Sequence, residues 1–87
     1  KMQSGSVTVG ANVTGQLAYV INFPVAFATA SPRVFATARN APATNFNDAF
    51  SVSVRSVYAN SVTLNIQRTD SNAGWGQILR VDWFAVE

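Results

Sequence analysis

Between residues 50 and 68 apolar and polar side chains alternate with little interruption. Phe50, Val52 and Val54 fall on one face and Ser51, Ser53 and Arg55 on the other; after Asn60-Ser61, Val62, Leu64 and Ile66 alternate with Thr63, Asn65 and Gln67. Successive side chains of a strand point to opposite faces, so each run can bury one side only. Two such runs joined by a short Asn-containing turn predict a hairpin. The same period closes the chain from about Ile78 to Val86, with Leu79, Val81, Trp83 and Ala85 in phase, which puts Trp83 in the core. Upstream, Val7 and Val9 flank Thr8 in a short opening strand, Leu17 to Phe23 forms a second strand closed by Pro24, and Val34 to Arg39 forms a third. The Ala-rich stretch Val25 to Ala30 is either a loop packed on the core or one helical turn, and Ser31-Pro32 ends it. The turn-rich segments 10–15, 40–48 and 69–76 are expected to be loops. Six short strands without a helix predict an all-β fold, an antiparallel sandwich or barrel, as a single domain over residues 1–87.

A chain of 87 residues with 48% apolar residues should fold, but at this size it buries only roughly 60% of its unfolded surface. Small folds are usually held by disulfides, a metal or a partner subunit. The sequence has no Cys and no His, which removes the first and weakens the second. Association with other subunits is the support that remains. Charged residues make up only 11% of the chain, with Ser, Thr and Asn supplying the polarity. That profile suits a surface largely covered by neighbouring subunits or domains.

The same inventory narrows the chemistry. Without His or Cys there is no ordinary proton shuttle or activated thiol, and Asp48, Asp70, Asp82 and Glu87 are widely dispersed. The chain is therefore expected not to be an enzyme and to hold neither cofactor nor metal. Arg33, Arg39, Arg55, Arg68 and Arg80 are spread along the sequence rather than clustered, which argues against nucleic acid, although an OB-like barrel binding single strands is one alternative. No apolar run approaches a membrane span. The opening Lys1-Met2-Gln3-Ser4-Gly5 has no apolar leader, and reads as the start of a piece cut from a longer protein.

The segment Thr69 to Gly76 holds Trp75 between two glycines, beside Asp70 and Asn72. A flat aromatic next to short amide and carboxylate groups suits a sugar, whose apolar face packs on the ring while its hydroxyls meet Asn and Asp. The candidate carbohydrate site is Arg68, Asp70, Asn72 and Trp75, with Asn47 and Asp48 from the loop before the hairpin. Trp75 would stack, Asp70 and Asn72 would bond hydroxyls, and Arg68 would orient Asp70. The other reading of Trp75 is a ring folded back over the sandwich edge or filling a subunit interface.

Met2-Gln3-Ser4-Gly5 before a short strand, Val20-Ile21-Asn22-Phe23, Ser31-Pro32 ahead of Val34–Ala38, the hairpin, and the closing Val81-Asp82-Trp83-Phe84-Ala85 together resemble the H-type lectin domains. The resemblance implies a six-stranded antiparallel β-sandwich, assembled as a homotrimer and sometimes as a hexamer. It also implies binding of glycans such as N-acetylgalactosamine in shallow sites near protomer junctions. Such domains occur in phage tail proteins and adhesive proteins, so the expected location is extracellular or on a virion. The expected function is a carbohydrate-binding module for cell-surface glycans, with a structural trimerisation domain lacking sugar binding as the alternative.

Overall fold

The computed structural model describes residues 1–30, 32–70 and 73–87. Six strands follow one another: Met2–Asn12 (β1), Gln16–Asn22 (β2), Arg33–Asn40 (β3), Phe50–Val57 (β4), Ser61–Arg68 (β5) and Trp75–Val86 (β6). They form two three-stranded sheets, ordered β1-β6-β3 and β2-β5-β4, with every pairing antiparallel. The fold is the expected all-β sandwich.

The two centre strands carry the core. Val62, Leu64 and Ile66 of β5 and Leu79, Val81, Trp83 and Ala85 of β6 are buried, and Ile21, Phe23 and Phe27 close the cluster. The hairpin β4–β5 pairs Phe50 with Arg68 and Val57 with Val62, and a bulge between Val54 and Ser56 leaves Arg55 as the extra residue. Segment 23–30 is the loop packed on the core. Phe27 is buried and meets the Phe23 ring edge-on at 5.1 Å, while Gln3 holds the Val25 backbone through bonds of 2.6 and 3.0 Å.

Two strands are longer than their sequence suggests. β1 begins at Met2, not Val7, because it pairs with β6 from Met2↔Val86 onward. Its first half has no large apolar residue on the inward side, where Gln3 and Gly5 stand, for a reason visible at Gly5. A Cβ there would lie 2.8 Å from Trp83 Nε1, so the indole occupies the space a side chain would take. β6 begins at Trp75, where a loop was expected, since Trp75 and Gln77 continue the buried phase of Leu79 and Val81.

The connectivity fixes which segments share an end. Strand direction places segments 13–15 and 41–49, with residues 69, 70, 73 and 74, at one end of the sandwich. Segment 23–30, turn 58–60 and both termini lie at the other, where the Glu87 N–H donates to the Lys1 carbonyl at 3.0 Å.

Candidate functional site

Of the residues expected to form a sugar site, Arg68, Asp48 and Asp70 come together at the loop end and bond to one another. Arg68, the last residue of β5, donates from Nη2 to Asp48 Oδ1 at 2.5 Å and from Nη1 to the Gly74 carbonyl at 2.7 Å. Its Nε lies 2.7 Å from Asp70 Oδ1. Gln77, a buried polar residue of β6, donates to the second Asp48 oxygen at 2.8 Å. One guanidinium thus ties Asp48, Asp70 and Gly74 to the ends of both sheets. With side-chain exposures of 12% and 16%, the Arg68–Asp48 pair is better shielded than Arg39–Asp82 on the sheet face, at 38% and 41%. Charge-assisted bonds in such a setting contribute about 1.5–3 kcal/mol each.

Trp75 corrects the expectation of a stacking platform. Its ring is 5% exposed, packs edge-on against Phe50 at 5.0 Å, and donates its indole N–H to the Gly10 carbonyl at 2.7 Å. The ring seals the core under the loops and presents no face to a ligand, so of the two readings of Trp75 the structure has the inward one. Gly74 makes the approach possible. It adopts φ +75°, and a Cβ there would stand 2.5 Å from the Asn12 carbonyl oxygen. Period two was the signal for this burial, because Trp75 is in phase with Leu79, Val81 and Trp83.

Asn47 is exposed, and Asp70 is exposed beside Arg68, whereas Asp48 is held by both Arg68 and Gln77. Asn72 lies outside the described residues. A group absent from the expected set stands beside Asn47. Phe46 is 47% exposed and is flanked by exposed Asn45 and Asn47. Its backbone is anchored by Asn40, whose Nδ2 donates to the Phe46 carbonyl at 3.1 Å. An apolar residue at the centre of a polar loop was the sequence signal for it. Among the described residues no group of acidic, His or Cys side chains could hold a metal ion, and no helix is long and apolar enough to cross a membrane.

Solved structures share this fold. The P. aeruginosa R1 pyocin fiber, in a form comprising its C-terminal residues, superposes with a TM-score of 0.78 at 24% identity, over 99% of this chain and 22% of that one. An N-truncated R1-type pyocin tail fiber gives the same TM-score and identity over 99% and 69% of the two chains. The Pseudomonas phage phi297 tailspike gp61 aligns with a TM-score of 0.72 at 15% identity, over 99% and 15%. The chain therefore spans about a fifth of the first pyocin chain and a smaller share of the tailspike. No curated protein matches. The family described as "Putative tail fiber protein gp53-like, C-terminal" matches residues 2–86, and the chain belongs to that family of tail-fibre C-terminal domains.

Proposed function

We propose that this domain is the host-recognising tip of a trimeric tail fibre and takes cell-surface glycans at its loop end. As a tail-fibre domain it belongs to the tail of a virion or phage-like particle. The observation that carries the recognition reading is the exposed Phe46 between Asn45 and Asn47, at the end of the sandwich opposite both termini. Any chain preceding residue 1 joins at the terminal end, so the three loops face away from it. Phe46 offers an apolar ring for a pyranose, and Asn45, Asn47 and Asp70 offer bonds to its hydroxyls. The Arg68 network holds this surface in place before binding, which lowers the entropic cost of recognition. Galactose-type sugars, including N-acetylgalactosamine, are the ligands suggested by the likeness to H-type lectins. In this reading the domain binds and does not catalyse.

Phe46→Ala should weaken binding to host surface polysaccharide, or to its ligand on a glycan array, about tenfold with the melting temperature unchanged. Full retention of binding would remove the sugar site from the loop end. The second reading, a structural trimerisation domain, draws on Trp75, Arg68 and Asp48. These aromatic and charged groups suited to a sugar are spent on internal packing. A trimer that binds no glycan on a broad array would select it.

A further inference from the structure

We infer that the outward face of β1-β6-β3 is the surface through which three copies of this chain meet around a common axis. The inference rests on the trimeric reading above and specifies its interface. Register places Met2, Val86 and Arg33 side by side on this face, then Ser4, Phe84 and Phe35, then Ser6, Asp82 and Thr37, then Thr8, Arg80 and Arg39. Met2 is 67% exposed, Phe35 59% and Phe84 38%. The two rings lean on each other at 6.4 Å and border a shallow depression of about 320 Å³ reaching Thr37 and Asp82. An apolar cluster left open on so small a domain is the mark of an interaction surface.

Charge specifies the occupant as another copy. Arg39 Nε donates to Asp82 Oδ2 at 2.6 Å, and Ser6 also supports that carboxylate. Arg80 is left over. It lies directly opposite Arg39 in register, and its buried Nε has no hydrogen-bond partner among the described residues. A carboxylate has roughly four acceptor positions, so Asp82 can accept more than its own chain supplies. The face thus carries a buried N–H donor without a hydrogen bond among the described residues and an acceptor with capacity to spare, one two-residue step, or ~6.6 Å, apart along β6. A donor and an acceptor at this spacing can pair between copies. In the assembly Arg80 of each copy bonds the Asp82 carboxylate of the next, while the Phe35–Phe84 clusters close together farther along the axis.

The width of the face suits three copies. Three strands at ~4.8 Å spacing make a face roughly 14 Å wide, and three such faces enclose a triangle whose centre is roughly 4 Å from each, close to half the ~10 Å separation of packed sheets. Side chains alone can fill that prism. The outward face of β2-β5-β4 is hydroxyl- and amide-rich, and Val20 is its exposed large apolar residue; it remains outside.

Light scattering on the eluting 87-residue chain tests this directly. The wild type is expected at three times 9.3 kDa. Phe84→Glu and, independently, Arg80→Glu at low salt should each reduce the mass to that of one chain while the β-sheet circular dichroism persists. Arg80→Glu combined with Asp82→Arg should restore the trimer, and Val20→Glu or Thr63→Glu on the other sheet should leave it intact. If Phe84→Glu unfolds the domain, the Arg80 and Asp82 variants still decide. A trimer that survives both Phe84→Glu and Arg80→Glu but dissociates with Val20→Glu would overturn the face and keep the trimer. A wild-type dimer would overturn the threefold closure. A wild-type monomer at every concentration would overturn the trimeric reading itself.

Discussion

The outward face of β2-β5-β4 carries Gln16, Asn22, Ser51, Thr63, Asn65 and Gln67, whereas that of β1-β6-β3 carries Met2, Phe35, Phe84, Arg39, Arg80 and Asp82. Both sheets were built by the same period-two rule, and their inward sides are interchangeable in kind: Val62, Leu64 and Ile66 on one, Leu79, Val81 and Ala85 on the other. The contrast lies wholly in the alternate positions. Hydroxyls and amides satisfied by water make a sheet face that need not be covered. Large rings and a methionine make one that is costly to leave in water. The inner side of a sandwich therefore reports how the chain folds, and the outer side reports what it meets.

The comparison breaks altogether if the shared core is opened. Trp83 lies between Gly5 and Phe23, with the Phe23 ring at 5.5 Å, and Trp83→Ala should cost about 3–5 kcal/mol in urea unfolding, erasing both faces together. Arg68→Ala comes next. Removing the guanidinium leaves Asp48 shielded with Gln77 as its remaining partner, and about 2–3 kcal/mol should be lost in the same assay. Hydrogen exchange should locate the damage in segment 41–49 and at residues 69, 70, 73 and 74, with both sheet faces protected as before.

Acid sharpens the contrast. Hydrogen bonds from Arg39 and Ser6 hold the Asp82 carboxyl below its ordinary value of 3.8, and bonds from Thr29 hold Glu87 below 4.5. A carboxyl whose folded-state pKa is depressed stabilises the fold fully above its unfolded value and loses that contribution as pH falls through the folded one. Urea midpoints should therefore drop below about pH 4, and Asp82→Asn should flatten part of that drop. No residue of the β2-β5-β4 face listed above titrates, so substitutions there should leave the acid profile unchanged. The smallest effect is expected on that neutral face, where Thr63→Ala or Asn65→Ala should stay within about 0.5 kcal/mol of wild type by thermal melting.

The hairpin β4–β5 and the later part of β6 were legible because alternation there is nearly complete. The first half of β1 was not, because Gly5 sits where the Trp83 indole needs room, and a strand whose inward position is a glycine has no apolar signature. At the loop end the sequence identified Arg68, Asp48 and Asp70 as neighbours-to-be, and the structure brings them together. It could not say that their charges would be directed at one another. Trp75 between two glycines has the local composition of an exposed loop, and only its phase with Leu79 marks it as core. Phe46 is the converse case. A single apolar residue among Asn and Thr carries no periodicity, and its exposure is set by how segments 41–49 fold on Asn40.

The placement of both termini at one end and the three loops at the other has a mechanical consequence. A particle held at its loops and tugged through residue 1 is loaded along the strand axes. In β1, which runs beside β6 from Met2↔Val86 to Asn12↔Trp75, the ladder bonds would then share the load in parallel rather than parting one at a time like a zipper. Shear of this kind raises the force needed for rupture without adding a contact. A domain anchored at one end and gripping at the other can be pulled hard during attachment while its equilibrium stability stays modest.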